Sequence, residues 1–99
     1  MLEWPIESYE VLYFSNKDIP TILLNLGDNT SGALSFMPNG SALPTDSMVG
    51  SNVHLYYQLK QWQNVIDLLR REEVTLVYNG QGYGAENGIT TNARKTDQG

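Results

Sequence analysis

The chain has 99 residues, a 40% hydrophobic composition, no cysteine and a formal net charge of -5. Its length suits one compact domain with a core that needs no staples, and the lack of cysteine excludes disulfides, thiol catalysis and zinc–thiolate sites. The acidic balance lacks the basic footprint that nucleic-acid binders use to neutralise phosphate.

No apolar run approaches the ~20 residues of a membrane span, and "MLEWPIESYE" lacks the basic start and apolar stretch of a signal peptide. With no cysteine to protect, the expectation is a cytoplasmic protein. The charge is uneven. Glu3, Glu7, Glu10, Asp18, Asp28 and Asp46 face Lys17 alone in residues 1–59, whereas acids and bases balance in 60–99.

The segment "YEVLYF" (9–14) is aromatic and β-branched and reads as a strand. "PTILLNL" (20–26) is a second, and its near-continuous apolar run predicts a central, well-covered position. "GDNTSG" (27–32) has turn chemistry, which also accounts for the sequon at Asn29. "ALSFM" (33–37) alternates, with Leu34 and Phe36 on one face and Ala33, Ser35 and Met37 on the other. Short connections predict an antiparallel meander for these three strands.

Residues 38–51 form the longest irregular segment, and reads equally well as a structural crossover and as a binding loop. Leu43, Met48 and Val49 are its candidates for pinning to the core. "NVHLYY" (52–57) is a fourth strand, presenting Val53, Leu55 and Tyr57 on one side and His54 and Tyr56 on the other. Leu59, Trp62, Val65, Ile66, Leu68 and Leu69 then recur at helical spacing over about 58–71. Arg70 and Arg71 fall in the expected last turn, where cations complement the helix dipole.

"EVTLVY" (73–78) and "GITTN" (88–92) are the remaining strands, and 92–99 reads as a solvated tail. The expected fold is a single α+β domain spanning 1–99. It has an antiparallel sheet of five to six strands, in the order β-β-β-β-α-β-β, with one amphipathic helix packed on one face. Trp62 and the helix leucines should form the centre of the core. The other sheet face must be solvated, curled over itself or paired with a second copy.

The chemical signals are few. Residues 80–85, "GQGYGA", spell the G-x-G-x-x-G/A of a dinucleotide turn. That motif needs a helix after the glycines, whereas "ENGITTN" supplies Gly88 and β-branched residues with no apolar helical period. A glycine-rich hairpin is expected instead, and no cofactor. His54, the single histidine, has no nucleophile and orienting acid evident beside it. Metal ligands are sparse, and "GDNTSG" lacks the spacing of a calcium loop.

Tyr9, Tyr13 and Tyr56 on a strand face suit stacking against bases or sugars. Four strands followed by a helix resembles the order of the PUR and Whirly single-strand-binding domains, which use such a face. That resemblance implies nucleic-acid binding, although the extra strands after the helix depart from it and the acidic balance opposes it. The preferred expectation is a non-catalytic interaction module, homodimeric or bound to another protein, and with no role at a membrane. Its contact surface takes in the 38–51 loop, the 79–88 hairpin and nearby tyrosines, and its candidate binding residues are Tyr9, Tyr13, His54, Tyr56, Asn79, Tyr83 and Asn87. A small enzyme using His54 is the third expectation.

Overall fold

The alternation read from 33–37 and 52–57 is present as alternating burial in a computed structural model, which describes residues 2–81 and 85–91. The elements are β1 (Leu2–Pro5), β2 (Ser8–Leu12), β3 (Thr21–Asn25), β4 (Ser31–Met37), β5 (Ser47–Val49) and β6 (Asn52–Gln58). A 3-10 turn at Leu59–Gln61 leads into α1 (Trp62–Leu69), followed by β7 (Val74–Tyr78) and β8 (Gly88–Thr91). The fold is α+β, as expected, and its strands are mostly antiparallel.

Its sheets differ from the single antiparallel sheet expected. A five-stranded sheet has the order β2-β3-β4-β6-β5, and a three-stranded sheet has the order β1-β7-β8. The meander β2-β3-β4 is antiparallel as anticipated, but β6 runs parallel to β4. The physical reason is the crossover through 38–51. It carries the chain back along the sheet before β6 begins, and β5 then folds antiparallel onto the outer edge of β6.

The two sheets share the first stretch of chain. Ile6 N donates to Val74 O at 3.0 Å, and the next amide, Glu7 N, donates to Asn25 O at 2.8 Å. The strand therefore changes sheets at one corner. Pro5, which has no amide to give, ends β1 on the edge of the smaller sheet, where a missing donor costs least.

One face of the larger sheet carries Ile22, Leu24, Leu34, Phe36, Val53 and Leu55, all buried. Leu76 and Tyr78 of β7 and Val65, Ile66 and Leu69 of α1 close over it in one cluster. Each such side chain contributes about 1.5–3 kcal/mol when fully removed from water. Gly32 belongs to the same inner row. A Cβ there would lie 3.5 Å from the Leu76 side chain and 3.3 Å from that of Leu24, so the glycine lets β7 approach β4 closely.

Two expectations about packing need correction. The centre of the core is Phe36, Ile22, Leu34, Leu55, Leu76 and Val53 on the strands. Trp62 is only half-buried at its margin, edge-on to Phe36 with ring centroids 4.8 Å apart. β3 is covered on one face only: Ile22 and Leu24 are buried while Leu23 is exposed.

The helix is also shorter than its periodicity. No side-chain cap supports either Gln58 or Gln61, and the first turn tightens to 3-10 geometry before α1 starts. Arg70 is the C-cap and Arg71 lies beyond it, so neither occupies the last turn.

Candidate functional site

The candidate contact residues separate into three places. Strand register puts Tyr9 opposite Leu24 and Val11 opposite Ile22, so both tyrosine and valine lie on the inner side of the edge strand β2. Tyr13 follows them and meets Trp62 edge-on at 5.1 Å. Tyr56 pairs with Ser35, which pairs with Thr21, and therefore lies on the outer face. Tyr9, Tyr13 and Tyr56 do not share a face, because a strand's side chains alternate and Tyr56 occupies the opposite phase. The stacking platform expected of the three tyrosines is not assembled.

His54 and Tyr56 do share the outer face, with rings 6.2 Å apart and 28° from parallel. Ser47 stands directly across from His54 in the register. A nucleophile–base pair also needs a carboxylate to orient the imidazole, and the adjacent acid is committed elsewhere. Asp46 Oδ1 accepts from Tyr56 N at 3.0 Å and its Oδ2 accepts from Asn87 Nδ2 at 3.1 Å.

Asp46 is the residue that sequence reading overlooked. It takes up the Tyr56 amide just before β5 begins, and at the same time it reaches the turn between β7 and β8. Its position in "PTDS" signals only a turn residue. Behind it lies Tyr57, stacked on Phe36 with centroids 5.4 Å apart. Burial, and then the nearby Asp46 charge, push the Tyr57 phenol up to about 12, so the hydroxyl stays protonated in ordinary conditions.

Asn79 and Asn87 form the base of the glycine-rich turn. Asn79 N donates to Asn87 Oδ1 at 2.5 Å, the Asn79 side-chain amide donates to Glu86 O, and Asn87 Nδ2 also donates to Gly80 O at 2.9 Å. β7 and β8 pair antiparallel on either side. The glycine segment is thus bounded by two hairpin strands and is not the entry to a helix. Tyr83 lies outside the described residues.

The 38–51 segment is held at its end by the pairing of β5 with β6 and at its start by bonds from residues 39–41. Gly40 N donates to Gln58 Oε1 at 2.7 Å, Gln58 Nε2 to Ser41 O at 2.8 Å, and Lys60 N to Asn39 Oδ1 at 2.6 Å. Of the three residues expected to pin it, only Met48 packs against the core. Leu43 and Val49 are exposed, because 42–45 bows away from the sheet and Val49 sits on its outer face.

Exposed apolar side chains gather at β2. Tyr9, Val11, Tyr13, Phe14 and Ile19 are between 39% and 58% exposed. Leu12, Phe14, Lys17, Asp18, Ile19 and Thr21 line an open depression of about 380 Å³ at that end of the sheet. Among the described residues no cluster of His, Cys, Asp and Glu is suited to a metal ion, and no helix is long and apolar enough to cross a membrane. Comparison with protein families, curated proteins and solved structures finds no match to this chain.

Proposed function

We propose that the chain is a non-catalytic interaction module that pairs with a second copy of itself through the β2 edge. The observation that carries this reading is the apolar group Tyr9, Val11, Tyr13, Phe14 and Ile19, exposed on and beside a strand that is the sheet's edge among the described residues. Exposed apolar edges are the surfaces that proteins blunt with charge or cover with another chain. Here the strand's one charge, Glu10, lies on the face opposite Tyr9 and Val11.

A second copy fits this edge well. Antiparallel pairing about a two-fold axis at Val11 sets Tyr9 opposite Tyr13 and Glu10 opposite Leu12. Aromatic and β-branched partners then meet across the strands, and no like charges face each other directly. The cysteine-free composition supports a reducing, cytoplasmic setting.

Light scattering across a concentration series tests the proposal. The expected result is a dimer that Val11→Lys converts to monomer while the far-ultraviolet dichroism is retained. A wild-type monomer at high micromolar concentration overturns it.

A further inference from the structure

Asparagine is followed by glycine at three places, residues 39, 79 and 87. In such a pair the glycine amide nitrogen attacks the asparagine side-chain carbonyl carbon, closing a five-membered succinimide as ammonia leaves. Water then opens the ring at either carbonyl, giving aspartate or isoaspartate. Glycine favours the first step because no Cβ obstructs the approach. The step also needs a side chain free to swing and a glycine amide free to give up its proton.

The fold separates the three pairs on these requirements. Gly40 N is bonded to Gln58 Oε1 at 2.7 Å, while Asn39 Oδ1 is held by Lys60 N at 2.6 Å. Gly88 lies within β8, opposite Val77, and the Asn87 side chain bonds Asn79 N, Asp46 Oδ2 and Gly80 O. Asn79 is exposed, and among the described residues its side chain makes one bond, to Glu86 O. Gly80 lies outside every strand, with φ of +124° and open space on its Cβ side.

We infer that Asn79 is a site of spontaneous conversion to aspartate and isoaspartate, and that the fold protects Asn39 and Asn87. The modification has a structural consequence. The product has no side-chain N–H to give Glu86 O, and places a carboxylate oxygen against that carbonyl instead. In the isoaspartate the backbone gains a methylene between the Cα of residue 79 and Gly80, which displaces Gly80 O from its bond with the Asn87 side-chain amide. That bond helps to orient Asn87 towards Asp46, so conversion loosens the tie between the turn and the 38–51 segment.

The test is to age the intact protein at mildly alkaline pH and follow each site by peptide mapping and enzymatic isoaspartate labelling. A sample in denaturant, where the three sites react at comparable rates, serves as the reference. The expected result is conversion at Asn79 several-fold ahead of both other sites in the folded protein. Equal rates in the folded protein, a lead for Asn39 or Asn87, or an intact Asn79 over a period that converts the denatured chain would overturn the inference.

Discussion

Asn87 donates its side-chain amide to Asp46 Oδ2 at 3.1 Å across 41 residues of sequence. Through the other oxygen, Asp46 holds the Tyr56 amide at 3.0 Å, so one carboxylate joins the β7–β8 turn to β6. Replacing a half-buried acceptor leaves its donors to find water or remain unpaired, at about 1–3 kcal/mol. Asp46→Ala and Asn87→Ala should each destabilise by that order in urea denaturation. Because the two share a bond, the double variant should lose less than the sum of the single losses. Strict additivity would show that the bond contributes nothing.

The Tyr57 phenol predicts a stability change at alkaline pH. Its value in the fold is raised to about 12, first by burial and then by Asp46, against about 10 in the unfolded chain. The folded state therefore retains a proton that the unfolded chain releases. The stabilisation is complete below pH ~10 and is lost as pH rises to ~12, on the order of 2–3 kcal/mol in total. Denaturation midpoints across this range should fall more steeply for the wild type than for Tyr57→Phe. Parallel curves for the two proteins would refute the assignment.

Two glycines should respond differently to alanine. Gly27, Asp28 and Asn29 all have positive φ, +78°, +51° and +60°, and Thr30 N closes the turn on Gly27 O at 2.8 Å. Gly27→Ala imposes a left-handed conformation on a residue with Cβ, costing about 1–2 kcal/mol. The Glu7 carboxylate, 2.5 Å from the new Cβ, can swing aside because Glu7 is exposed. Gly88→Ala meets only the Tyr57 hydroxyl at an ordinary 3.5 Å and should be near neutral. Thermal unfolding of the two variants provides the comparison, and a Gly88→Ala loss as large as that of Gly27→Ala would contradict it.

The aromatic cluster predicts a ranking. Phe36 is fully buried between Tyr57 and Trp62, whereas Trp62 is partly exposed. Phe36→Ala should cost about 3–5 kcal/mol, as core aromatic truncations do, and Trp62→Ala less. Guanidinium denaturation that reversed this order would place the centre of the core on the helix instead of on β4.

Local period carried much of this fold in plain view. The alternation of Leu34 and Phe36 against Ala33 and Ser35, and of Val53 and Leu55 against His54 and Tyr56, is the alternation of burial in β4 and β6. "VTLVY" and "GITT" flank the glycine segment as hairpin strands, which is why its fingerprint letters have no helix to serve. These features depend only on neighbours a few residues away, through pleat, turn and helical repeat. "LEWP" escaped notice because a short segment ending in proline carries a weak strand signal, and it becomes β1 only once β7 is beside it.

Partner choice is a different quantity, because it depends on which surfaces close over the core together. Tertiary structure alone set β6 parallel to β4, divided the strands between two sheets, and assigned Tyr9 and Tyr56 to opposite faces. It also made Asp46, an ordinary turn residue in sequence, the link between Tyr56 and Asn87. A hydrogen bond spanning 41 residues leaves no local period to read. It exists because the crossover and the last hairpin are brought to the same end of β6.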